Sequence, residues 1–562
     1  MPIDLLTPRG EALLNDPRRI PWDAYPRPQL RRESYVNLNG DWDYTVSPGE
    51  LLPQSYGRTI RVPFCPESRL SGIGEHPKDG DYLFYRRRFP MPEGGKRVLL
   101  HFGAVDQHAD IFLNGALVGS HSGGYHAFSF DITAHLQPEN TLVVRCRDDL
   151  RDQTQPYGKQ TLTRGGMWYT PVSGIWQTVW LECVPQVYIE KIRIENRGDS
   201  VTITTIPPLD GTVTVKDLGQ FPLTDGSVTI SPETPHLWSP EDPYLYEFTL
   251  EAGEDRIESY FAIRSLEIQK VDGYQRLCLN GKPYFFHGLL DQGYWPEGLL
   301  TPPAPESYAD DILAMKAMGF NMLRKHIKVE AEEFYYQCDK LGMVVFQDMV
   351  NNGDYQFFRD TALPTVGLQK LNDKKRHKDP AARREFLRQM ELTVKQLKNH
   401  PSICCWTIFN EGWGQFDSDN VCARFRELDD TRFIDATSGW FRRSNTDVDS
   451  RHVYFKPIRL KGKDKPLVLS EFGGYSFKPA GHVFNTEQTY GYGKYTDQAA
   501  FSRALEKLYR EQVIPAYHKG LCAAVYTQVS DVEDETNGLM SYDRRVTKPD
   551  VEAMLEIAKL LK

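Results

Sequence analysis

The chain has 562 residues, and its 67 Lys and Arg residues stand against 76 Asp and Glu residues, which gives a formal net charge of −9 at pH 7. This length predicts about three to four domains, and the acidic balance argues against nucleic acid as a partner. No apolar run reaches the roughly 20 residues of a membrane helix, and the first residues lack the basic and apolar segments of a secretory signal. We therefore expect a cytoplasmic protein without a membrane partner.

The nine cysteines are scattered and form no Cys-x-x-Cys pair. Such a pattern is typical of reduced, buried thiols and not of a disulfide framework or a zinc site. The sequence accordingly predicts neither a metal nor a cofactor, and it leaves the formation of a homo-oligomer open.

The first half of the chain has the pattern of β-sandwiches. Short alternating runs broken by Gly, Pro, Asn and Asp predict a jelly-roll-like β-sandwich for residues 1–184, in which Asn114-Gly115 is a two-residue hairpin turn. Further short strands predict an immunoglobulin-like β-sandwich for residues 185–268, although the Cys...Trp...Cys signature is absent. Helical periodicity is nearly absent from residues 1–184.

From residue 269 onwards, predicted strands alternate with predicted helices. The Ser307-x-x-Asp310 pattern predicts a helix start, and Gly319 predicts its end. Eight strands with helices between them are most economically arranged as a (β/α)8 TIM barrel over residues 269–562. The predicted strands are 284–289, 321–326, 343–348, 403–411, 432–436, 452–455, 466–471 and 522–528.

Two carboxylates end predicted strands of this barrel. Glu411 ends strand four and Glu471 ends strand seven, so both are expected at the same mouth of the barrel, which is where such folds carry their chemistry. A pair of opposed carboxyl groups is what glycoside hydrolysis requires, since one protonates the leaving oxygen while the other attacks the sugar or activates water. A lone glutamate of this kind would more often bond a neighbouring loop, but two together favour catalysis.

These motifs resemble glycoside hydrolase family two, the β-galactosidase and β-glucuronidase family. The resemblance rests on Asn410-Glu411, on Ser470-Glu471-Phe-Gly-Gly and on an upstream block from Phe102 to Phe128 that contains Asn114-Gly115. Gly174-Ile-Trp-Gln also resembles the end of that family's sugar-binding-like first domain. It implies that Glu411 is the acid/base and Glu471 the nucleophile of a retaining mechanism. It also implies that Asn410 binds the sugar 2-hydroxyl and that Tyr454 lies near the nucleophile.

The chain departs from this family pattern at several substrate contacts. The family's Arg-x-x-His is shortened to Arg324-Lys325-His326, and its Asp-Glu is replaced by Gln347-Asp348, so Arg324, His326 and Asp348 are candidate sugar contacts. Where the glucuronidases carry Asn-x-Lys, this chain has Glu535-Thr536-Asn537. An acidic residue there would repel a uronate, although Arg324 or Lys328 could supply a cation.

Other candidates lie in loops of the barrel mouth. Trp295, Trp413 and Gln528 are candidate substrate contacts, and either tryptophan could instead be a core residue. Residues 351–380 form a connection that is longer than loops without a function usually are. The aromatic side chains of this connection could pack against the aglycone. The acidic cluster at 531–535 could bind sugar hydroxyls or a cation, or be a solvated loop.

We thus expect a retaining exo-β-glycosidase acting on a neutral sugar such as a β-galactoside. A β-uronidase is the alternative within the enzyme class. The alternative from another class is a catalytically silent carbohydrate-binding protein on the same scaffold, and in each case the partner is a carbohydrate or glycoconjugate.

Overall fold

The computed structural model describes residues 4–78, 80–365, 367–368 and 373–562. Two antiparallel sheets pack face to face in its first part, and alternate residues of their strands point into a shared core. In strand His108–Leu113, for example, Ala109, Ile111 and Leu113 are buried. One sheet has, in order, Tyr35–Asn37, Val179–Val184, Arg97–Phe102 and Phe128–Asp131; the other has Arg58–Val62, Gly40–Ser47, Tyr82–Pro90, Glu139–Arg147, His108–Leu113 and Ala116–Ser122.

A second, smaller sandwich follows. Its two antiparallel sheets enclose a separate aliphatic and aromatic core, which is smaller than the first. One sheet has, in order, Lys191–Arg197, Ser200–Ile206 and Ser227–Ile230; the other has Gly219–Leu223, Gly211–Val215, Tyr246–Ala252 and Asp255–Phe261. The short strands Leu266–Val271, Tyr274–Leu279 and Lys282–Pro283 then lead into the third region.

Eight parallel strands form the third region, in the order five, four, three, two, one, eight, seven, six. Strands five and six are not hydrogen bonded to each other, so the barrel is nearly closed. Because both faces of a barrel strand are covered, every residue of Ile403–Asn410 is buried. The strands are Phe286–Asp291, Met322–Lys325, Val344–Asp348, Ile403–Asn410, Phe433–Ser438, Asp449–Val453, Leu467–Phe472 and Leu521–Tyr526.

The predicted order of two β-sandwiches followed by a TIM barrel is confirmed, and three local details differ. Strand six ends at Val453, so Tyr454 lies beyond it. The helix predicted to be capped by Ser307 begins at Glu306, after Pro305, and has no side-chain cap. No helix lies between strands five and six or between six and seven, among residues 439–448 and 454–466 that the structure describes.

The longer helices cover the outside of the barrel strands. Helix Pro380–Leu397 buries Phe386, Met390 and Val394, which recur at helical spacing. None of the helices described is both long and apolar enough to span a bilayer. The α-helices are Pro8–Asn15, Glu306–Ala317, Glu332–Leu341, Leu363–Thr365, Pro380–Leu397, Ser418–Leu428, Gln498–Leu508, Ile514–Tyr517 and Val551–Lys559.

A loop of the first sandwich reaches the mouth of the barrel. Tyr169 donates a hydrogen bond to the Glu535 carboxylate, and the Thr170 backbone N–H donates to Glu533 Oε1 at 3.0 Å. The Arg164 guanidinium lies 3.3 Å from Asp534. These contacts place sandwich residues 159–170 beside the ends of the barrel strands.

Candidate active site

Glu411 and Glu471 lie where strands four and seven end. Glu471 is the penultimate residue of strand seven, and Glu411 directly follows strand four. Glu411 has a left-handed backbone conformation, with φ of +52°, and its N–H donates to the Ser438 carbonyl at 3.0 Å. Because such a conformation costs a non-glycine residue about 1 to 3 kcal/mol, the surrounding structure must impose it. The turn aims the side chain into the barrel mouth.

The two carboxylates are close together, and His452 lies between them. One oxygen of each carboxylate and one nitrogen of the imidazole all lie within 4.8 Å of one another. The Glu411 and Glu471 side chains are 14% and 6% exposed. This closest approach is shorter than the separation of about 6.5 to 9.5 Å at which two carboxyl groups hold an attacking water between them and a sugar.

Glu471 is held in its ionised form. Arg324 Nη1 donates to its Oε1 at 3.1 Å, and the Tyr454 hydroxyl donates to its Oε2 at 2.6 Å. Burial raises the pKa of the Glu471 carboxyl, but the neighbouring His452 imidazole, the Arg324 guanidinium and the Tyr454 hydroxyl donor outweigh burial and hold the pKa below its usual value. An anionic, hydrogen-bonded carboxylate at this position is suited to nucleophilic attack.

Arg324 is hydrogen bonded to several residues at the base of the site, which we call the floor. Its guanidinium makes a two-pronged contact with Asp348, with both N–O distances at 3.0 Å, and also donates to Asn410 Oδ1 at 2.9 Å and to the Ser470 carbonyl at 3.1 Å. Its side chain is 1% exposed. Arg324 and Asp348 therefore lie behind the residues that line the cavity, and Arg324 holds Asn410 and Glu471 in place by hydrogen bonds.

His326 reaches the cavity from the same network. Its Nδ1 lies 2.8 Å from Asp348 Oδ2. Burial lowers the pKa of the imidazole to about 4, although Asp348 opposes the shift, so His326 is neutral near pH 7. A neutral imidazole can donate a hydrogen bond to a sugar hydroxyl or accept one from it.

The carboxylates open into a cavity of about 540 Å³. Three parts of the chain build it: the strand ends of the barrel, the loop after strand seven, and a loop of the first sandwich. Its lining residues are Lys159, Met167, Leu290, Gln292, His326, Asn410, Glu411, Trp440, Tyr454, Phe455, Glu471, Tyr490, Tyr492, Thr527 and Glu535.

Two residues of opposite charge face each other in the upper cavity. Glu535 is buried and accepts hydrogen bonds from the Tyr169 hydroxyl and from Asn537 Nδ2, the latter at 3.0 Å. Burial raises the pKa of Glu535, and the charge of Lys159 opposes the shift. The Lys159 ammonium lies 5.5 Å from the Trp168 ring, and no described carboxylate lies within 4 Å of it.

Comparison with protein families covers nearly all of this architecture. Residues 270–555, more than half of the chain, match the model of the glycosyl hydrolases family 2 TIM barrel domain. Residues 79–167 match the galactose-binding domain-like model of glycosyl hydrolase 2, and residues 187–264 match a third model of glycosyl hydrolases family 2. The chain belongs to glycosyl hydrolases family 2. The resemblance to this family that the sequence motifs indicate is confirmed.

Individual relatives in family 2 differ in the sugar that their names state. The chain is 26% identical to a beta-galactosidase of Thermoanaerobacter pseudethanolicus over 68% of its length and 52% of the relative's. It is also 26% identical to a beta-glucuronidase of Bacteroides fragilis, over 67% of its length and 56% of the relative's. The chain spans about half the length of these curated relatives.

A solved structure shows the same family 2 fold. The crystal structure of a GH2 beta-galacturonidase from Eisenbergiella tayi bound to galacturonate superposes with a TM-score of 0.70, covering 96% of this chain and 100% of that one. The sequence identity is 18%, so the likeness establishes the fold and not the substrate.

Three predicted substrate contacts lie away from the cavity of this family 2 site. Trp295 is 2% exposed and packs edge-on against Tyr308. Trp413 is 3% exposed, packs against Trp168 and donates its indole N–H to the Gly353 carbonyl at 3.1 Å. Gln528 is fully buried and accepts from Gln292 Nε2 at 2.8 Å, so it lies behind a lining residue. Burial inside clusters of aromatic and amide side chains explains why none of these three side chains lines the cavity.

The acidic cluster after strand eight has protein partners. Lys548 Nζ donates to Asp531, Arg164 lies beside Glu533 and Asp534, and Glu535 lines the cavity. Most of this cluster therefore joins the barrel to the first sandwich and is not a solvated loop. In the long connection before the fourth strand, Phe357 and Phe358 are exposed and are not among the residues lining the cavity; residues 366 and 369–372 of that connection lie outside the described residues.

Several lining residues were not identified from the sequence. Lys159 and Met167 come from the first sandwich, hundreds of residues from the glutamates, and no local pattern marks them. Tyr490 and Tyr492 flank Gly491, and this stretch rich in aromatic residues and glycine is a sequence pattern that could have indicated a ligand contact. His452 was placed only as a residue of strand six.

Proposed function

We propose that this chain is a retaining exo-β-glycosidase. The observation that carries the proposal is the pair of Glu411 and Glu471, each of which has an oxygen within 4.8 Å of an oxygen of the other at the barrel mouth. Retaining glycosidases hold two carboxyl groups about 5 to 5.5 Å apart, whereas inverting ones hold them about 6.5 to 9.5 Å apart. The environment supports distinct roles, because Arg324 and Tyr454 donate to Glu471 and keep it anionic.

The reaction then follows as a double displacement. A Glu471 oxygen attacks the anomeric carbon while Glu411 gives its proton to the glycosidic oxygen, and the bond between that carbon and that oxygen breaks. The product is a glycosyl ester of Glu471 and a free alcohol. Glu411, now ionised, takes a proton from a water whose oxygen attacks the anomeric carbon, and Glu471 leaves as a carboxylate.

Asn410 is oriented to assist both steps. Its Oδ1 accepts from Arg324, which can only donate, so its Nδ2 is the end that is free to face the cavity. An amide N–H there would donate to the sugar 2-hydroxyl, an interaction that strengthens in the transition state. Arg324 thus fixes the amide without touching the substrate.

The shape of the cavity supports action at a chain end. Lys159 and Met167 close one side, and Tyr490 and Tyr492 from the loop after strand seven close another. The Tyr492 ring stacks on Tyr454 with centroids 4.2 Å apart, so this wall rests on the floor of the site. A pocket that is closed on its sides admits one terminal sugar, whereas cleavage within a polysaccharide would need an open groove.

A neutral sugar such as a β-galactoside fits the proposal best. The Glu535 carboxylate on the cavity wall suits hydroxyl donors and opposes a sugar carboxylate. Two cations that could have reversed this preference are engaged elsewhere. The donors of Arg324 are occupied, and Lys328 Nζ is bonded to the Gly293 and Leu300 carbonyls and to Glu330.

A β-uronide is the second candidate, and Lys159 is the observation that favours it. Its ammonium is a lining cation with no described carboxylate within 4 Å, so it could pair with the carboxylate of a uronic acid. Rates with a panel of nitrophenyl glycosides separate the two candidates. We expect the galactoside to exceed the glucuronide and the galacturonide in kcat/KM, and the reverse order would favour the second candidate.

The assignment of the nucleophile has a direct test. A 2-fluoro β-galactosyl fluoride should form a stable ester, and peptide mass spectrometry should locate it on Glu471. The variant Glu471→Ala should take no label and should lose turnover by a factor on the order of 10⁵. Labelling of another residue, or release of the inverted anomer by the wild-type chain, would contradict the proposal. Turnover that is lost on Glu411→Gln would exclude a catalytically silent carbohydrate-binding protein.

A further inference from the structure

His452 lies beside both catalytic carboxylates, and the double displacement described above gives it no part. It is the penultimate residue of strand six, and its side chain is fully buried. Its Nδ1 lies 2.8 Å from Glu411 Oε1 and 3.4 Å from Glu471 Oε2. The imidazole thus connects the two carboxylates on which the reaction depends.

The hydrogen on this ring can be assigned from its neighbours. A carboxylate accepts hydrogen bonds, so a nitrogen that faces two carboxylate oxygens carries the hydrogen. The other nitrogen, Nε2, lies 3.1 Å from the hydroxyl oxygen of Ser438, which can donate to it. The neutral ring with hydrogen on Nδ1 therefore satisfies both of its nitrogens.

One N–H cannot serve both carboxylates equally. The distance of 2.8 Å to Glu411 is that of a full hydrogen bond, whereas 3.4 Å to Glu471 is a long contact. Glu471 Oε2 is already the acceptor of the Tyr454 hydroxyl at 2.6 Å. The geometry therefore directs the imidazole towards Glu411.

Packing holds the ring in that direction. The Trp440 ring meets it edge-on, with centroids 5.4 Å apart. On another side is Gly439, which has φ of +87°, and a Cβ at that position would lie 2.6 Å from Nδ1. Only glycine permits this close approach, so the backbone of residue 439 itself is a wall against the imidazole.

We propose that His452 is a positioning residue for Glu411 and that it decides which oxygen of that carboxyl group carries the catalytic proton. Because Oε1 accepts the Nδ1 hydrogen, the proton that is transferred to the leaving group resides on Oε2. When Glu411 has given up that proton, the same Nδ1 hydrogen stabilises the carboxylate. The proposal rests on the acid/base role of Glu411 given above.

The test uses leaving groups of different quality. Glu411 must protonate a methoxide leaving group, whereas a dinitrophenolate departs without a proton. For His452→Leu, which removes the donor at similar volume, we expect kcat/KM to fall about 10- to 100-fold with methyl β-galactoside. With dinitrophenyl β-galactoside we expect a change of less than about threefold, because kcat/KM then reports a step that needs no acid.

A conservative variant provides the matched control. His452→Asn keeps an N–H donor near the position of Nδ1, so it should recover most of the loss with the methyl galactoside. Equal losses with the two substrates in a folded His452→Leu protein, or a His452→Asn protein that is impaired with the methyl galactoside as much as with the dinitrophenyl galactoside, would overturn the proposal. A denatured His452→Leu protein would lose both activities, and the Asn variant then decides the question.

The outcome is separable from the test of the proposed function. Labelling of Glu471 by a 2-fluoro galactosyl fluoride needs no acid, so His452→Leu should still be labelled. If the wild-type chain is not labelled at Glu471, the proposed function fails. If both are labelled but the leaving groups make no difference, the role of His452 alone fails.

Discussion

The floor and the rim of the cavity are built in different ways. On the floor, Arg324, Asp348, Asn410 and Glu471 come from the ends of four barrel strands and are joined by direct hydrogen bonds. The rim consists of side chains from a loop of the first sandwich and from the loops after strands six and seven, and these side chains are partly or largely exposed. Under the proposed function, the barrel supplies the reacting groups, while distant segments supply contacts to the rest of the ligand.

This difference separates two kinds of sensitivity. A buried charged network leaves an uncompensated charge when one member is removed, whereas a rim side chain can be lost without disturbing the fold. Variants of the floor should consequently change stability, rate and pH dependence together. Variants of the rim should change recognition alone.

The largest effect is expected at Arg324. Arg324→Met leaves Asp348 and Glu471 without their shared cation, so we expect a loss of stability of about 3 to 5 kcal/mol in urea unfolding. Turnover should fall by a factor on the order of 10³ or more. The acidic limb of the pH–rate profile should also move to higher pH. Arg324 lowers the pKa of Glu471 against the effect of burial, and without it the carboxylate protonates at higher pH.

Arg324→Lys is the control for this prediction. Lysine keeps the positive charge but cannot form the two-pronged contact with Asp348 and the bond to Asn410 at once. It should retain more stability than Arg324→Met and still lose most turnover. A fully active Arg324→Met protein would show that the floor is not a single network.

A smaller effect is expected at Lys159 on the rim. If the sugar is neutral, Lys159→Met should change kcat/KM for nitrophenyl β-galactoside by less than about threefold, because an exposed charge contributes about 1 kcal/mol or less. Urea unfolding should be unchanged. A tenfold loss confined to the glucuronide or galacturonide would favour the second candidate function and would make Lys159 the residue that selects the sugar.

The same division explains which parts the sequence predicted. Barrel strands buried on both faces have long apolar runs, so Glu411 and Glu471 could be placed at the mouth from the runs that precede them. The two sandwiches were recognisable for the same reason, since alternating burial gives alternating sequence. Neither inference needed a contact between distant residues.

Other residues could not be predicted, because their roles depend on tertiary contacts. Nothing around Lys159 shows that its loop folds over the barrel, and nothing around Trp295 or Trp413 distinguishes a cavity wall from a core position. Arg324 and Asp348, which the sequence predicts as sugar contacts, lie one layer behind the surface of the cavity. The sequence predicts the direction in which a strand runs, but it does not predict whether a side chain reaches the surface of the cavity or lies behind it.

The smallest effect is expected at Phe455, an exposed aromatic residue of the rim. It lines the cavity, it is 69% exposed, and its ring meets Tyr492 edge-on at 4.8 Å. An aromatic aglycone that leaves the pocket could pack on it for about 0.5 to 1.5 kcal/mol, which corresponds to a two- to tenfold change in KM. Phe455→Ala should raise KM for nitrophenyl β-galactoside by that factor and leave methyl β-galactoside unaffected.

Phe358→Ala is the matched control for Phe455→Ala. Phe358 is 74% exposed but does not line the cavity, so its removal should change KM for neither substrate. Neither variant should alter urea unfolding, since both rings are largely in contact with solvent. If the two variants behave alike with the nitrophenyl galactoside, the rim at Phe455 makes no contact with the aglycone. A difference between them would extend the recognition surface beyond the terminal sugar to the group that leaves.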